Sequence, residues 1–144
     1  MVIAIFGESC TGKSTLADML AEKLSAKIYT GKDYLRLAKN ENKAKAEFKK
    51  LLESAMAGEH VIYVIAEQEH LSLIPENALR VLATAELDTI KERFAARMNG
   101  QLPPPVAQML ERKHGCFDSQ PHSIAFRGDS DDPAEMCRKI IAML

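Results

Sequence analysis

The 144-residue chain is poor in the features that mark several large protein classes. Its three cysteines, Cys10, Cys116 and Cys137, are odd in number and share no metal-ligand spacing, which argues against a disulfide framework or a structural zinc site. A reducing, cytoplasmic setting is therefore expected. No apolar run approaches the roughly 20 residues that a membrane helix needs. Met1–Phe6 lacks a basic leader and a signal-type cleavage region, so it reads as a buried strand running into a glycine loop. The net charge of −1 leaves no electrostatic footprint for duplex nucleic acid. There is no repeat and no Gly/Ser-rich linker, so residues 1–144 are expected to form a single domain. With 47% hydrophobic and 27% charged residues, the chain is able to bury a core and remain in solution.

The pattern that remains alternates short β-rich runs with longer helical ones. Val2–Phe6, Val61–Ala66 and Leu79–Thr84 are continuous apolar runs of the kind found in strands buried on both faces. Lys27–Tyr29 and Ser123–Arg127 are shorter strand candidates. Lys13–Leu24 and the stripe Leu87, Ile90, Phe94 and Met98 carry helical spacing. Asp33–Met56 is expected to be helical and to stop at Gly58. Asp132-Pro133-Ala134-Glu135 opens a closing helix with an N-cap carboxylate and a proline at the first helical position. Leu102-Pro103-Pro104-Pro105 starts an excursion over about Gly100–Gln120, with a short helix near Val106–Arg112. Alternation of this kind predicts right-handed crossovers, a five-stranded parallel sheet and helices on both faces, with ligands bound beyond the carboxyl ends of the strands.

One segment carries specific chemistry. Gly7-Glu8-Ser9-Cys10-Thr11-Gly12-Lys13-Ser14 matches Gly-x-x-x-x-Gly-Lys-Ser/Thr in full, between a buried strand and an amphipathic helix. Glycines let the backbone wrap closely and turn its N–H groups on an anion. The helix that follows adds free amides and a favourable dipole. Gly7 through Thr15 is thus a P-loop for the phosphates of ATP. Lys13 would reach the terminal phosphates, and Ser14 would act as a ligand for Mg2+. The expected fold is the three-layer P-loop NTPase architecture. A signalling GTPase is disfavoured, because Asn42-Lys43-Ala44-Lys45 lacks the aspartate of a guanine-reading motif and no Asp-x-x-Gly follows the Val61–Ala66 strand.

Beyond the P-loop, the chain resembles the nucleoside monophosphate kinases and their small-molecule kinase relatives. Thr30-Gly31-Lys32-Asp33-Tyr34-Leu35-Arg36 is similar, with one residue inserted, to the Ser-Thr-Gly-Asp-Met-Leu-Arg of adenylate kinases. Glu92-Arg93-Phe94-Ala95-Ala96-Arg97 is similar to the Arg-x-x-x-Arg helix that leads into that family's lid. The resemblance implies acceptor binding by Thr30 and Arg36, phosphate clamping by Arg93 and Arg97, and a lid contribution from Arg112. Arg93 and Arg97 stand four residues apart and project together from a helix, and guanidinium forks suit phosphate oxygens. Asp33 is a candidate for orienting or deprotonating an acceptor, or else an ordinary helix cap. Glu67 replaces the aspartate that organises magnesium waters, or is simply a surface residue at a strand end.

The departures from that family are as informative. Its Asp-Gly-Phe-Pro-Arg is here Ala66-Glu67-Gln68-Glu69-His70, without the acceptor-binding arginine. The P-loop looks more like those of cytidylate- and shikimate-type kinases. The excursion is too short for a zinc-binding lid, and its lone Cys116 could not build one. His60, His70, His114 and His122 show no catalytic spacing and read as surface or loop residues. The expectation is therefore transfer of the ATP γ-phosphoryl group to a nucleoside monophosphate or similar small acceptor. Two alternatives are kept: a kinase of hydroxylated metabolites, and an ATP-binding module without transferase activity.

Overall fold

The computed structural model describes residues 1–144. Val2–Gly7 forms β1, buried along its whole length. The chain continues through α1 (Lys13–Leu24), β2 (Lys27–Thr30), α2 (Glu41–Ala55), β3 (Val61–Ile65) and β4 (Leu79–Thr84). It then forms α3 (Leu87–Arg97), α4 (Pro104–Lys113), β5 (Ile124–Arg127) and α5 (Pro133–Ala142). The five strands make one parallel sheet in the order β2-β3-β1-β4-β5. β1 is central, and the chain winds first to its β3 side and then to its β4 side. The crevice beyond the carboxyl end of β1 is therefore the topological switch point, where open α/β sheets bind ligands.

Alternation along β1 divides the core into two layers. Val2, Ala4 and Phe6 point into a cluster with Phe48 and Leu52 of α2, Tyr63 and Ile65 of β3, and Phe117. Ile3 and Ile5 point the other way, to Leu16 and Leu20 of α1, Phe126 of β5, and Met136 and Ile140 of α5. A smaller cluster of Cys10, Ala85, Ile90 and Leu110 seats α3 and α4 beside the glycine loop. The excursion at about residues 100–120 is accordingly docked at several points, with Phe117 buried and its ring 6.0 Å from that of Phe6. No helix is long and apolar enough to cross a membrane.

Three local expectations change. The single helix expected over Asp33–Met56 is two elements, a 3-10 turn at Asp33–Arg36 and α2 from Glu41. The break falls where Asn40 caps α2, its side chain accepting from the Lys43 N–H at 3.0 Å, so a strong cap overrides continuous helical composition. Gly58 does not act as a left-handed stop; α2 ends through Met56, whose N–H donates to Glu53 and Ser54 carbonyls. A second 3-10 turn, Gln68–Leu73, follows β3 and carries His70 into the interior, correcting its reading as a surface residue.

Gly7 is required where β1 meets β4, because a Cβ there would collide with the Ala83 carbonyl oxygen. That obstacle is sheet backbone and cannot rotate away. Gly7→Ala is expected to cost about 1–3 kcal/mol, the usual range for overpacking. A urea unfolding midpoint equal to the parent's would contradict this account of the strand contact.

Candidate functional site

The carboxyl ends of β1, β2 and β3 frame a cleft of about 390 Å3. Its walls include Ser9, Lys13 and Ser14 of the glycine loop, Thr30–Lys32 after β2, Glu67 and His70 after β3, and Arg97 from α3. A second cavity of about 350 Å3 lies on the other side of the loop, between Arg93, Arg97, Phe126, Gly128 and Pro133. Cys10, Gly12 and Thr15 form part of both linings. The loop is thus the partition of a two-chambered site.

Its backbone is shaped to present amides. Cys10 and Gly12 both have positive φ, 65° and 86°, and the left-handed turns tilt successive N–H groups toward one point. Gly12 occupies the N-cap of α1 with no side-chain cap, and no acidic residue stands in the first turn. The first-turn amides of α1 are therefore left for an outside anion. Gly128 makes this approach possible from the β5 side, since a Cβ there would collide with the Thr11 carbonyl.

Lys13 lines the cleft but is only 6% exposed. Its Nζ donates to the Glu8 carbonyl at 2.6 Å, and the same oxygen accepts from Thr11 Oγ1 at 2.8 Å. Burial lowers the Lys13 pKa to about 8; Arg97 adds to the lowering, while Cys10 and Glu8 oppose it. Desolvation is the larger effect because a buried ammonium loses water that one carbonyl does not replace.

The two arginines of α3 hold different positions. Arg93 donates to the Cys10 carbonyl at 3.1 Å and the Gly128 carbonyl at 2.9 Å, tying the glycine loop to the β5 end. Arg97 is exposed and is the one charged side chain lining both chambers. Arg112 is exposed on α4 and lines neither. Ser14 and Thr15, exposed at the start of α1, offer hydroxyls to the cleft.

On the acceptor-like side, Thr30 lines the cleft but Asp33 and Arg36 do not. Asp33 accepts from the Thr30 N–H at 2.7 Å and from Arg36 at 2.7 Å. Partial burial pulls its pKa up, but the bonds from Thr30 and Arg36 outweigh that and leave it below the usual carboxylate value. The carboxylate therefore organises the turn after β2 instead of capping α2. The Arg36 side chain is 80% exposed, directed along the surface.

The sequence alone assigns no role to Lys32 or Glu69 and leaves His70 at the surface. The density of acids and imidazole in Glu67–His70 is visible in the sequence, but its inward turn depends on the 3-10 geometry and on space left by Gly31. The Glu8 carboxylate forms a further contact, accepting from the Gly115 N–H at 3.1 Å with His114 Nδ1 at 3.2 Å, so the loop holds the excursion.

No protein-family model and no curated protein sequence matches the chain. Solved structures do match in fold. The Bacillus subtilis YorR protein in complex with phosphorylated GDP is 22% identical, with a TM-score of 0.65 and coverage of 99% of this chain and 95% of that one. Shikimate kinase from Acinetobacter baumannii, in complex with shikimate, is 13% identical, with a TM-score of 0.65 and coverage of 99% and 91%. A gluconokinase from Sinorhizobium meliloti is 16% identical, with a TM-score of 0.61 and coverage of 98% and 89%. The chain has the fold of these structures, a five-stranded parallel sheet with flanking helices.

The depressed Lys13 pKa gives a test independent of any reaction. Sulfate, which does not titrate in this range, is expected to bind the loop with constant affinity below pH 8. Above that pH, affinity should fall by up to about tenfold per pH unit as free Lys13 loses its proton. Amide chemical shifts across pH 7–10 would follow it. A flat profile in the parent, or the same slope in Lys13→Met, would dissociate Lys13 from the anion site.

Proposed function

We propose that the chain is an ATP-dependent kinase that phosphorylates a hydroxyl group of a small metabolite. The observation that carries the reading is Arg97, a solvent-reachable guanidinium shared by two chambers that meet across a P-loop. ATP would lie with its nucleoside in the smaller chamber and its phosphates along the loop amides. Arg93, held by two carbonyls, keeps a guanidinium face free for base stacking. Lys13 would leave the Glu8 carbonyl for the β- and γ-phosphates, and anion contact would restore its full charge. Ser14 and Glu67 are oxygen donors facing the cleft and suit Mg2+, which would neutralise phosphate charge when bound.

The acceptor would enter between Thr30–Lys32 and Glu67–His70. Its hydroxyl oxygen would attack the γ-phosphorus and release its proton to solvent late in the transfer, the bond from the γ-phosphorus to the β–γ bridging oxygen would break, and ADP would leave. In a loose transition state little base strength is demanded, so positioning and charge stabilisation dominate. Asp33 stands behind Thr30, outside the cleft lining, and would orient the hydroxyl only on exchanging Arg36 for the acceptor; its lowered pKa does not suit strong-base work. Its exposed pair with Arg36 contributes at most about 1 kcal/mol, so an acceptor could displace the arginine. Arg97 would meet charge spreading over the transferring group.

A hydroxylated acceptor is favoured because the segment after β3 presents Glu67 and His70 where an acceptor phosphate would need arginines. A nucleoside monophosphate is the second reading. It is favoured by Lys32 in the cleft wall, by an exposed Arg36 whose pair with Asp33 an incoming phosphate could exchange, and by the fold likeness to a protein solved with phosphorylated GDP. A phosphoryl-transfer screen with ATP against hydroxy acids, polyols and nucleoside monophosphates decides between them.

With the acceptor in hand, Arg97→Ala is expected to lower kcat by at least about a hundredfold, as for loss of one preorganised donor. ATP affinity should change by less than about tenfold, because uniform binding is left to the loop. Arg93→Ala should instead weaken ATP binding itself, since the loop loses two charge-assisted bonds of about 1.5–3 kcal/mol each. Arg36→Ala should leave KM for a hydroxylated acceptor unchanged or lower it by a few fold, since it frees Asp33, and should raise KM for a nucleoside monophosphate. Absence of turnover with every acceptor, together with parental ATP affinity in both α3 variants, would overturn the kinase reading in favour of a binding module.

A further inference from the structure

We propose that Glu67, Glu69 and His70 form a binding site for a divalent transition-metal ion in the nucleotide-free protein, with Glu67 the one residue it shares with the Mg2+ position proposed above. The three residues occupy the extended exit of β3 and the 3-10 turn that follows it. Glu67 caps the turn, and its carbonyl accepts from the His70 N–H at 3.2 Å, which brings residue 67 close to residue 70. One ligand atom from each of the three lies within 4.8 Å of the others.

His70 is the independent sign that the cluster is more than exposed acidity. Its side chain is 2% exposed, yet neither ring nitrogen has a hydrogen-bond partner. Buried polar atoms are normally satisfied, so an imidazole left open on both nitrogens marks a missing partner. Packing aims the ring. A Cβ at Gly31 would stand 2.6 Å from Nδ1, so only glycine leaves it room. Tyr34 meets the ring edge-on at a centroid distance of 5.7 Å. Nε2 is thereby directed to Glu69, 3.6 Å from Oε1. That separation is long for a hydrogen bond but close to that of two donors sharing one ion at about 2.0–2.2 Å each.

The rest of the set has the freedom the imidazole lacks. The Glu69 side chain is 62% exposed and Glu67 is exposed, so both carboxylates can turn inward without repacking. One fixed imidazole and two carboxylates favour Zn2+, Co2+ or Mn2+ over Mg2+, which prefers oxygen alone. Glu67 and His70 also line the larger cleft, so coordination positions not filled by protein face it.

The test uses the full chain stripped with chelator, without nucleotide, so its outcome is independent of kinase activity. Titration with Co2+ should give one equivalent of saturable binding, visible d–d absorption and a raised thermal midpoint, and Zn2+ should compete while equal Mg2+ does not. Glu69→Gln and Glu67→Gln replace exposed groups and should melt like the parent without metal. Each should weaken Co2+ by at least about the 10–100-fold that loss of a supporting residue costs. His70→Gln should abolish the d–d bands; should it fail to fold, the two glutamate variants decide. Parental affinity in both glutamate variants, no saturation below millimolar Co2+, or a thiolate charge-transfer band assigning the ion to cysteine would overturn the site.

Discussion

A loop that turns its N–H groups toward an anion leaves carbonyls that need partners before any ligand arrives. Here those partners come from distant parts of the chain. The Glu8 carbonyl accepts from Lys13 and Thr11, while the Cys10 carbonyl accepts from Arg93. Arg93 extends the arrangement to the Gly128 carbonyl, on a loop that comes near only because residue 128 has no Cβ. The positions of α1, α3 and the β5 exit all answer to this one requirement. The buried lysine is its electrostatic consequence: satisfying the Glu8 carbonyl removes Lys13 from water, and burial lowers its pKa to about 8. Under the proposed function an arriving phosphate would return what burial took away, so a loop organised by its own carbonyls would be relieved by its ligand.

The same loop couples the two chambers to the excursion. The Glu8 carboxylate holds Gly115 and His114, while Leu110 packs with Cys10, Ala85 and Ile90. On the far side, Gln68 donates to the Cys116 carbonyl at 2.9 Å, joining the excursion to the turn after β3. The excursion is thus pinned at the P-loop, at the sheet through Phe117, and at the wall bearing Glu67 and His70. A ligand on the loop would be felt in that wall through packed side chains, without a long-range hinge.

Legibility in the sequence follows the kind of interaction at each place. The P-loop could be read because backbone geometry restricts it to glycines at fixed spacing, with a strand before and a helix after. The sheet could be read because strands buried on both faces are continuous apolar runs, as Val2–Phe6 and Val61–Ile65 show. Asp33–Met56 could not be divided correctly, since Asn40 in a helical composition signals a cap only once the preceding turn is known. His70 was misplaced for a related reason: its burial depends on a 3-10 turn and on the space at Gly31, some 39 positions away in sequence, and neither has a periodic signature. Arg93 and Arg97 were rightly put on one helix, but which carbonyls or chambers each would meet depends on loops remote in the chain.

This difference separates the two halves of the site. The phosphate side is made mainly of backbone amides and a few small residues, so it tolerates little variation and stays recognisable. The opposite side is made of side chains on short turns after β2 and β3, where Thr30, Lys32, Glu67 and His70 can change without disturbing the sheet. A chain built this way should keep its whole architecture while its sequence drifts. It follows that chemistry on the acceptor side must be argued from the groups standing there. In this chain those groups are a hydroxyl, an ammonium, a carboxylate and a buried imidazole, beside a P-loop whose lysine donates to a loop carbonyl.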